Sequence, residues 1–213
     1  AAADEADPDG DPVCFRIESV LAGVLRKDGA AVTPGETLLA TGESLSWTPP
    51  PDASGVIEAF TICAWDGWMG SAQAVPVTVE VVPVNDPPGF AKGPDQLVDE
   101  DAPPQSVPNW AAGIAAGPAD ESGQTLAFQV TTSNDSLFAA GPAVSPGGTL
   151  TYTPAPNAFG TATVTVVLKD DGGTAGGGVD ASPPQTFTIT ISPVNDPPGF
   201  AKGPDQLVDE DAP

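Results

Sequence analysis

The chain contains no histidine, and this absence removes most of the common catalytic and zinc-binding arrangements. Ser-His-Asp and Cys-His nucleophile systems need an imidazole base, and His-ligated zinc sites need imidazole nitrogen. Paired carboxylates remain, and such pairs hydrolyse glycosides in some enzymes. Here the acidic pairs recur in loops beside a linker that occurs twice, rather than in a cleft. The sequence therefore predicts a protein that is not an enzyme.

Basic residues are scarce as well. Only six lysines and arginines stand against 29 aspartates and glutamates, and the net charge is −23. Binding to phosphate backbones needs clustered cations, so nucleic acid is excluded as a partner. No apolar stretch approaches the roughly 18 residues of a membrane span. The N-terminal AAADEADPDGD is acidic, which is not typical of a signal peptide, so any export signal is expected to lie outside this chain.

Glycine and proline are abundant, with 24 and 26 residues, and they interrupt every stretch long enough for a helix. Between them apolar and polar residues alternate with period two, as in VCFRI, TLTY, VTVVLK and TFTITI. Seven or so short strands per 110 residues predict an all-β chain of tandem Greek-key β-sandwiches. The predicted inner faces carry Val13, Phe15, Ile17, Phe60, Ile62, Leu126, Phe128, Val130, Val164, Val166 and Leu168, with Trp47 and Tyr152 as core anchors.

An internal repeat organises the chain. The segment Pro83–Pro103, PVNDPPGFAKGPDQLVDEDAP, recurs unchanged as Pro193–Pro213, 110 residues later. Weaker correspondence fills the interval, since ADPDGDPVCFRI aligns with ADESGQTLAFQV and SLSWTPPPDASG with TLTYTPAPNAFG. We predict a first repeat over 1–86 that lacks its first strand and most of its second, a second repeat over 87–196, and the first strand of a further repeat over 197–213. This tail is expected either to continue a longer array or to complete the first repeat of another copy.

Four motifs recur in the same order and carry a family resemblance. They are the linker VNDPP (84–88 and 194–198), the acidic VDEDAP (98–103), the DPDGD loop (7–11) and strands that close in Trp65-Asp66-Gly67 or Lys169-Asp170-Asp171-Gly172. Together they resemble the bacterial cadherin-like, immunoglobulin-like tandem repeats of large secreted or surface adhesins. The second repeat departs from the pattern, because it carries Asp120-Glu121-Ser122 where the first carries Asp7-Pro8-Asp9.

The resemblance implies calcium sites at the ends of the repeats, because its topology gathers acidic loops there and calcium takes six to eight oxygen ligands. The residues implied at the junction within the chain are Asn85, Asp86, Asp120, Glu121 and Asp170, with Asp171 as a further candidate. The lower end of the second repeat would offer Asp99, Glu100, Asn195 and Asp196, and the top of the first Asp7, Asp9, Asp11 and Asp66. The alternative interpretation is that these acids only solvate the surface.

Two cysteines allow one disulfide or none. In the topology that the resemblance implies, Cys14 and Cys63 lie on neighbouring antiparallel strands and face outward across the pair. A disulfide between them is expected if the register places them opposite each other, and a bulge in the longer first repeat would change that register.

The sequence thus predicts a non-enzymatic, calcium-stiffened structural repeat of an extracellular adhesin, stalk or fibre, secreted or at the cell surface. Its expected partners are neighbouring repeats stacked head to tail, other copies in a filament, and a cell-surface or polysaccharide receptor. One alternative is a carbohydrate-binding module that uses exposed tryptophans, namely Trp65, Trp68 and Trp110. A second alternative is a phage or virion surface protein built from the same sandwiches.

Overall fold

The structure is a computed structural model that describes residues 11–208 and 210. This part of the chain contains β-strands and three short 3₁₀ turns, and none of its helices is long and apolar enough to span a membrane. It forms two compact units whose division falls between Val84 and Asn85. We call the part before this division unit 1 and the part after it unit 2. The predicted repeat ranges 1–86, 87–196 and 197–213 stay predictions, because they divide the chain by sequence similarity rather than by packing.

Seven strands make up the described part of unit 1. They are β1 (Cys14–Val20), β2 (Val24–Lys27), β3 (Ala30–Ala31), β4 (Leu38–Leu39), β5 (Leu45–Thr48), β6 (Gly55–Trp65) and β7 (Val75–Val81). One sheet has the order β4-β1-β6-β7 and the other the order β3-β2-β5. Ile17 of β1 lies opposite Ile62 of β6, and a β-bulge shifts the register between Ile17 and Ser19. The bulge inserts one extra residue on β1 and changes which residues face each other beyond it.

The core of unit 1 is small. Ile17, Leu25, Ala59 and Phe60 are buried, and the apolar residues packed around them are only half-buried: Val20, Val32, Leu45, Trp47, Ile62, Val77 and Val79. Because hydrophobic stabilisation grows with the apolar area removed from water, this half-covered core is expected to contribute less than a closed one.

Nine strands make up the described part of unit 2. They are β8 (Gly89–Ala91), β9 (Gln96–Asp99), β10 (Gln105–Val107), β11 (Ala112–Ala115), β12 (Ala127–Thr132), β13 (Phe138–Val144), β14 (Leu150–Pro154), β15 (Gly160–Lys169) and β16 (Gln185–Ser192). The main sheet has the order β12-β15-β16-β9, and β9 pairs with β16 in parallel. A second sheet has the order β10-β14-β13, and β8 pairs with β11. The unit is thus a β-sandwich, as predicted, with more strands than expected.

Strands β15 and β16 show why the sandwich forms. Along both strands buried and partly exposed residues alternate, with Val164, Val166, Leu168 and Ile189 fully buried. Val164, Val166 and Ile189 share one buried core cluster with Leu150 of the opposite sheet, and full burial of such a side chain is worth about 1.5–3 kcal/mol. The alternation read from the sequence is therefore confirmed.

Candidate metal centre

The start of unit 2 is fastened to two of its loops through Asn85 and Asp86. The Asn85 side-chain Nδ2 donates to Asp170 Oδ1 at 3.0 Å and to the Val179 carbonyl at 2.7 Å. The Val179 N–H donates to the Asn85 carbonyl at 2.9 Å. The Asp86 N–H donates to Glu121 Oε1 at 2.8 Å. Five hydrogen-bonded residues therefore meet at this end of the sandwich.

Local structure explains how the two carboxylates arrive there. Glu121 ends a 3₁₀ turn, Ala119–Glu121, and Asp170 directly follows the end of β15. Asp170 Oδ1 also accepts the Gly172 N–H at 3.0 Å, which fixes the carboxylate at the beginning of the loop. Gln124 follows the same 3₁₀ turn, and its Nε2 donates to Asn85 Oδ1 at 2.7 Å.

Three acceptor oxygens of this cluster lack a partner. Glu121 Oε2, Gln124 Oε1 and Asp170 Oδ2 are buried and accept no hydrogen bond from the described residues. The carboxylate-bearing residues are each only 9% exposed, and no lysine or arginine in the described ranges forms an ion pair with either. A buried carboxylate without a counter-charge is strongly disfavoured, so a positive group bound at these oxygens would lower the free energy of the site.

Glycines make room for the cluster. A Cβ on Gly117 would collide with Glu121 Oε2, and a Cβ on Gly172 would collide with Asn85 Oδ1. Neither glycine has a positive φ, so it is the space and not the backbone conformation that excludes a side chain at these positions. The sequence around the cluster is thus fitted to its oxygen atoms.

The donor set fits a hard cation. Carboxylate and amide oxygens are the ligands of calcium, whereas nitrogen and sulfur ligands, which zinc prefers, are missing from this cluster. Two carboxylates and one amide make the set small, and the described residues contain no group of three or more His, Cys, Asp or Glu placed to hold a metal ion. Any cation here would therefore complete its shell with water or further oxygens.

The other residues implied at this end lie outside the group of unpartnered oxygens. Asp120 is exposed on the 3₁₀ turn. Asp171 Oδ1 accepts the Thr125 N–H at 2.8 Å, and this hydrogen bond lowers the pKa of Asp171 below its ordinary value. Gln124 was not among the implied ligands. The repeat alignment could have found it, because Gln124 aligns with Asp11 of the DPDGD loop.

The opposite end of unit 2 brings together the second set of implied residues in part. Glu100 is buried, and its Oε1 accepts the Val194 N–H at 2.7 Å. A shallow cleft of about 530 Å³ is lined by Glu100, Asn157, Phe159, Pro193, Val194, Asn195 and Asp196. Asn195 and Asp196 are exposed on its rim, and Asp99 lies at the end of β9.

In unit 1, Asp66 forms a turn of its own. Its Oδ1 accepts the N–H groups of Trp68 and Met69, both at 2.7 Å, and these bonds lower its pKa, with Met69 the larger cause. Asp11 is exposed. The implied ligands Asp7 and Asp9 lie outside the described residues.

The register separates the two cysteines. Cys14 lies opposite Trp65, and Cys63 lies opposite Arg16, so the two thiols are diagonal rather than facing, and both are free. The expected cross-strand disulfide is therefore not formed. Cys63 is buried all the same, because it packs beside Gly70, and its thiol donates to Glu18 Oε1 at 2.8 Å. Burial, followed by this bond, raises the pKa of Cys63 above its ordinary value.

The tryptophans differ in exposure. Trp110, expected on the surface, is buried against Phe187 with a 4.4 Å ring separation, and its indole Nε1 donates to the Pro94 carbonyl at 3.0 Å. That expectation is therefore wrong. Trp65 is half-buried under the Arg16 guanidinium at 3.9 Å. Trp68 is 87% exposed beside Met69.

Comparisons with known proteins agree with the β-sandwich fold. The model of a family described as bacterial Ig domain matches residues 85–190. Form II of the human protocadherin-24 EC1-2 crystal structure is 18% identical with a TM-score of 0.55, over 90% of this chain and 85% of that one. A second crystal structure of the same fragment is 18% identical with a TM-score of 0.54, over 90% and 86%.

The chicken VE-cadherin EC1-2 structure is 17% identical with a TM-score of 0.45, over 92% of this chain and 89% of that one. No curated protein sequence matches the chain significantly. Identities this low show the fold alone. Residues 85–190 match the bacterial Ig domain family and the chain has a cadherin-like β-sandwich fold, which confirms the resemblance read from its motifs.

Proposed function

We propose that this protein is a non-enzymatic, calcium-binding structural repeat of a secreted or surface-anchored stalk, fibre or adhesin. One observation carries the proposal: among the described residues, three buried acceptor oxygens lack partners on side chains that hydrogen-bond to Asn85 or Asp86, where the linker enters unit 2. A protein that only solvated its surface with acids would leave them exposed, where water satisfies them. Two carboxylates here are instead buried among backbone and amide groups.

Glu121, Asp170 and Gln124 would hold the ion through their unpartnered oxygens. Asn85 would act as a positioning residue, because its amide nitrogen fixes Asp170 while its amide oxygen accepts from Gln124. Calcium would supply the positive charge that these carboxylates lack. With few protein ligands, the dissociation constant is expected in the range of extracellular modules, on the order of 0.1–1 mM.

The mechanical consequence follows from the chain order. Asn85 and Asp86 directly follow the last residue of unit 1, and Pro87 and Pro88 restrict the backbone that comes next. Without a cation, the burial of the Glu121 and Asp170 carboxylates without a counter-charge opposes the closed cluster to which this segment is bonded. Neutralising them favours that cluster, so the linker is held to unit 2 and the joint becomes stiffer.

The lower end of unit 2 supports head-to-tail stacking. Glu100, Asn195 and Asp196 offer oxygens around one open cleft, and the linker Asn195-Asp196 repeats the sequence of Asn85-Asp86. We infer that this cleft is half of a further calcium site, which the acidic loop of a following repeat completes. Extracellular placement suits both sites, because calcium is abundant there.

Scanning calorimetry of the full chain with and without calcium tests the proposal. At ten times the dissociation constant, an ion that binds only the folded state adds about 1.4 kcal/mol, so the melting temperature of unit 2 should rise. Asp170→Asn should lose most of this rise. Asp135→Asn is the matched control, because Asp135 is exposed in the same unit far from the linker in sequence. An equal calcium response in both variants would contradict the assignment.

A second candidate function rests on Trp68. Its ring is 87% exposed, and Trp65, Asp66 and Met69 line a small adjacent pocket of about 180 Å³. Exposed aromatic rings stack on sugars, so this surface fits a polysaccharide receptor. Retention of the chain on immobilised polysaccharide that is lost in Trp68→Ala would support this function. Retention equal to that of the unchanged chain would refute it.

A further inference from the structure

One sequence occurs in two environments in this chain. The segment Gly89–Asp99 forms β8 and β9 in unit 2, where Phe90 packs edge-on against Phe128 at 5.1 Å. The identical residues of the tail carry no strand over 197–208, and Phe200, Leu207 and Val208 are 94%, 97% and 76% exposed. The difference lies in the surroundings, since β9 has the edge of β16 to pair with.

Unit 1 presents an edge of the same kind. Counting back from the linker that both repeats share, β7 corresponds to β16. Strand β7 is last in its sheet, and within the described ranges no strand pairs with its outer edge. Val77 and Val79 of β7 are only half-buried, whereas the corresponding Phe187 and Ile189 of β16 are buried. Among the residues that the structure describes, no strand therefore covers the core next to β7 as β9 covers that of unit 2.

We propose that the β7 edge of unit 1 binds the tail segment Gly199–Val208 of a second copy as a parallel strand. The pairing of β9 with β16 sets the register: Ile189 opposite Gln96, Thr190 opposite Leu97 and Ile191 opposite Val98. Transferred by the repeat, this register places Val79 opposite Gln206, Glu80 opposite Leu207 and Val81 opposite Val208. Main-chain hydrogen bonds then supply affinity, and alternate side chains supply specificity.

The residues that make two side-chain contacts in unit 2 also occur in unit 1 and in the tail. Asp95 Oδ1 accepts the Thr188 N–H at 2.8 Å, and the tail offers Asp205 to the identical Thr78. Phe90 packs on Phe128, and the tail offers Phe200 to the half-buried Phe15, which aligns with Phe128. The tail therefore matches unit 1 in side chains as well as in backbone.

The proposed contact joins different surfaces, so it does not close on itself. Each copy carries one β7 edge and one tail, and a heterologous contact of this kind generates open, head-to-tail assemblies. The assembly needs no cation, and it is independent of the proposed calcium site.

Light scattering coupled to size-exclusion chromatography tests the proposal on the full 213-residue chain. The runs are made in EDTA, which separates this contact from any effect of calcium. The average mass should rise with protein concentration beyond that of a monomer. A synthetic peptide with the sequence of residues 199–210 should reverse this rise by occupying the β7 edge.

Two neighbouring tail variants separate strand pairing from unspecific association. Val208→Asp should weaken association about tenfold or more, because Val98, its counterpart, packs against the core of unit 2. Leu207→Asp is the matched control, because its counterpart Leu97 stays 75% exposed in the paired strand. Both tail residues are exposed, so neither change unfolds a unit. A chain that stays monomeric at every concentration, or equal weakening by both variants, overturns the proposal.

Discussion

Replacing Gly172 by alanine tests whether the oxygen cluster at the linker is built as described. The added Cβ would collide with Asn85 Oδ1 and lie 2.5 Å from Gln124 Nε2. One of these side chains must then leave its place. Asn85 is the nearer, and its departure removes its bonds to Asp170, to the Val179 carbonyl and from Gln124.

The cost can be worked out from these bonds. A hydrogen bond between neutral groups contributes about 0.5–1.5 kcal/mol net, and one to a charged carboxylate about 1.5–3 kcal/mol. Some of the loss is recovered from water because Asn85 is half-buried, and replacing glycine by alanine itself gains about 0.4–1 kcal/mol. The net loss is expected near 2 kcal/mol. For a domain of this size, that lowers the melting temperature by about 5–10 °C.

Scanning calorimetry of the full chain measures this shift. Gly123→Ala is the matched control, because a Cβ there meets nothing within 4 Å and the residue lies in the same unit. Gly172→Ala should also weaken the calcium response, since Asn85 no longer positions Asp170. A melting temperature equal to that of the control would refute the claim that the packing around position 172 leaves no room for a side chain.

Three further predictions follow from burial and charge. In calorimetry, Trp110→Ala should destabilise unit 2 by about 3–5 kcal/mol, whereas Trp68→Ala should destabilise unit 1 by less than about 0.5 kcal/mol. Similar losses of stability in the two variants would refute the different burial of the two rings. The hydrogen bond from the Thr188 N–H lowers the pKa of Asp95. This bond therefore stabilises the fold above the ordinary aspartate pKa and stops doing so as the pH falls through the lowered value. In acid titration, Asp95→Asn should lose less stability than the unchanged chain between about pH 4 and 2, and an equal loss would contradict this. A thiol reagent at neutral pH should label Cys14 faster than Cys63, whose thiol is buried with a raised pKa; a chain without reactive thiols would indicate the disulfide instead.

Much of the fold could be predicted from the sequence, because the signal is local. Val164, Val166 and Leu168 alternate with smaller or polar residues along β15, and only one face of that strand can be buried. Pairing was harder to predict, because it depends on bulges. The bulge between Ile17 and Ser19 shifts the pairing of β1 with β6 by one residue, and the resulting register sets Cys63 opposite Arg16, two residues along β1 from Cys14.

Part of the candidate site could be predicted for a different reason. Asn85, Asp86, Glu121 and Asp170 stand in motifs at the ends of strands, and the topology brings those ends together. The burial of Trp110 could not be read from its neighbours, because it is buried by Phe187, which is distant in sequence.

Room for the cluster is a property of the folded backbone, so the sequence pattern did not indicate it. Gly117 and Gly172 stand in loops that contain other glycines, and nothing in the pattern marks them as the ones that face the oxygens. Only the three-dimensional arrangement shows which glycines cannot be replaced.

Equilibrium dialysis of the full chain against radioactive calcium tests the central claim most directly. We compare the unchanged chain with the double variant Glu121→Gln/Asp170→Asn, which keeps the shape of both side chains and removes their charge. The account predicts that the double variant binds one calcium ion fewer per chain. Equal numbers of bound ions in the two proteins, or no bound calcium in either, would contradict it.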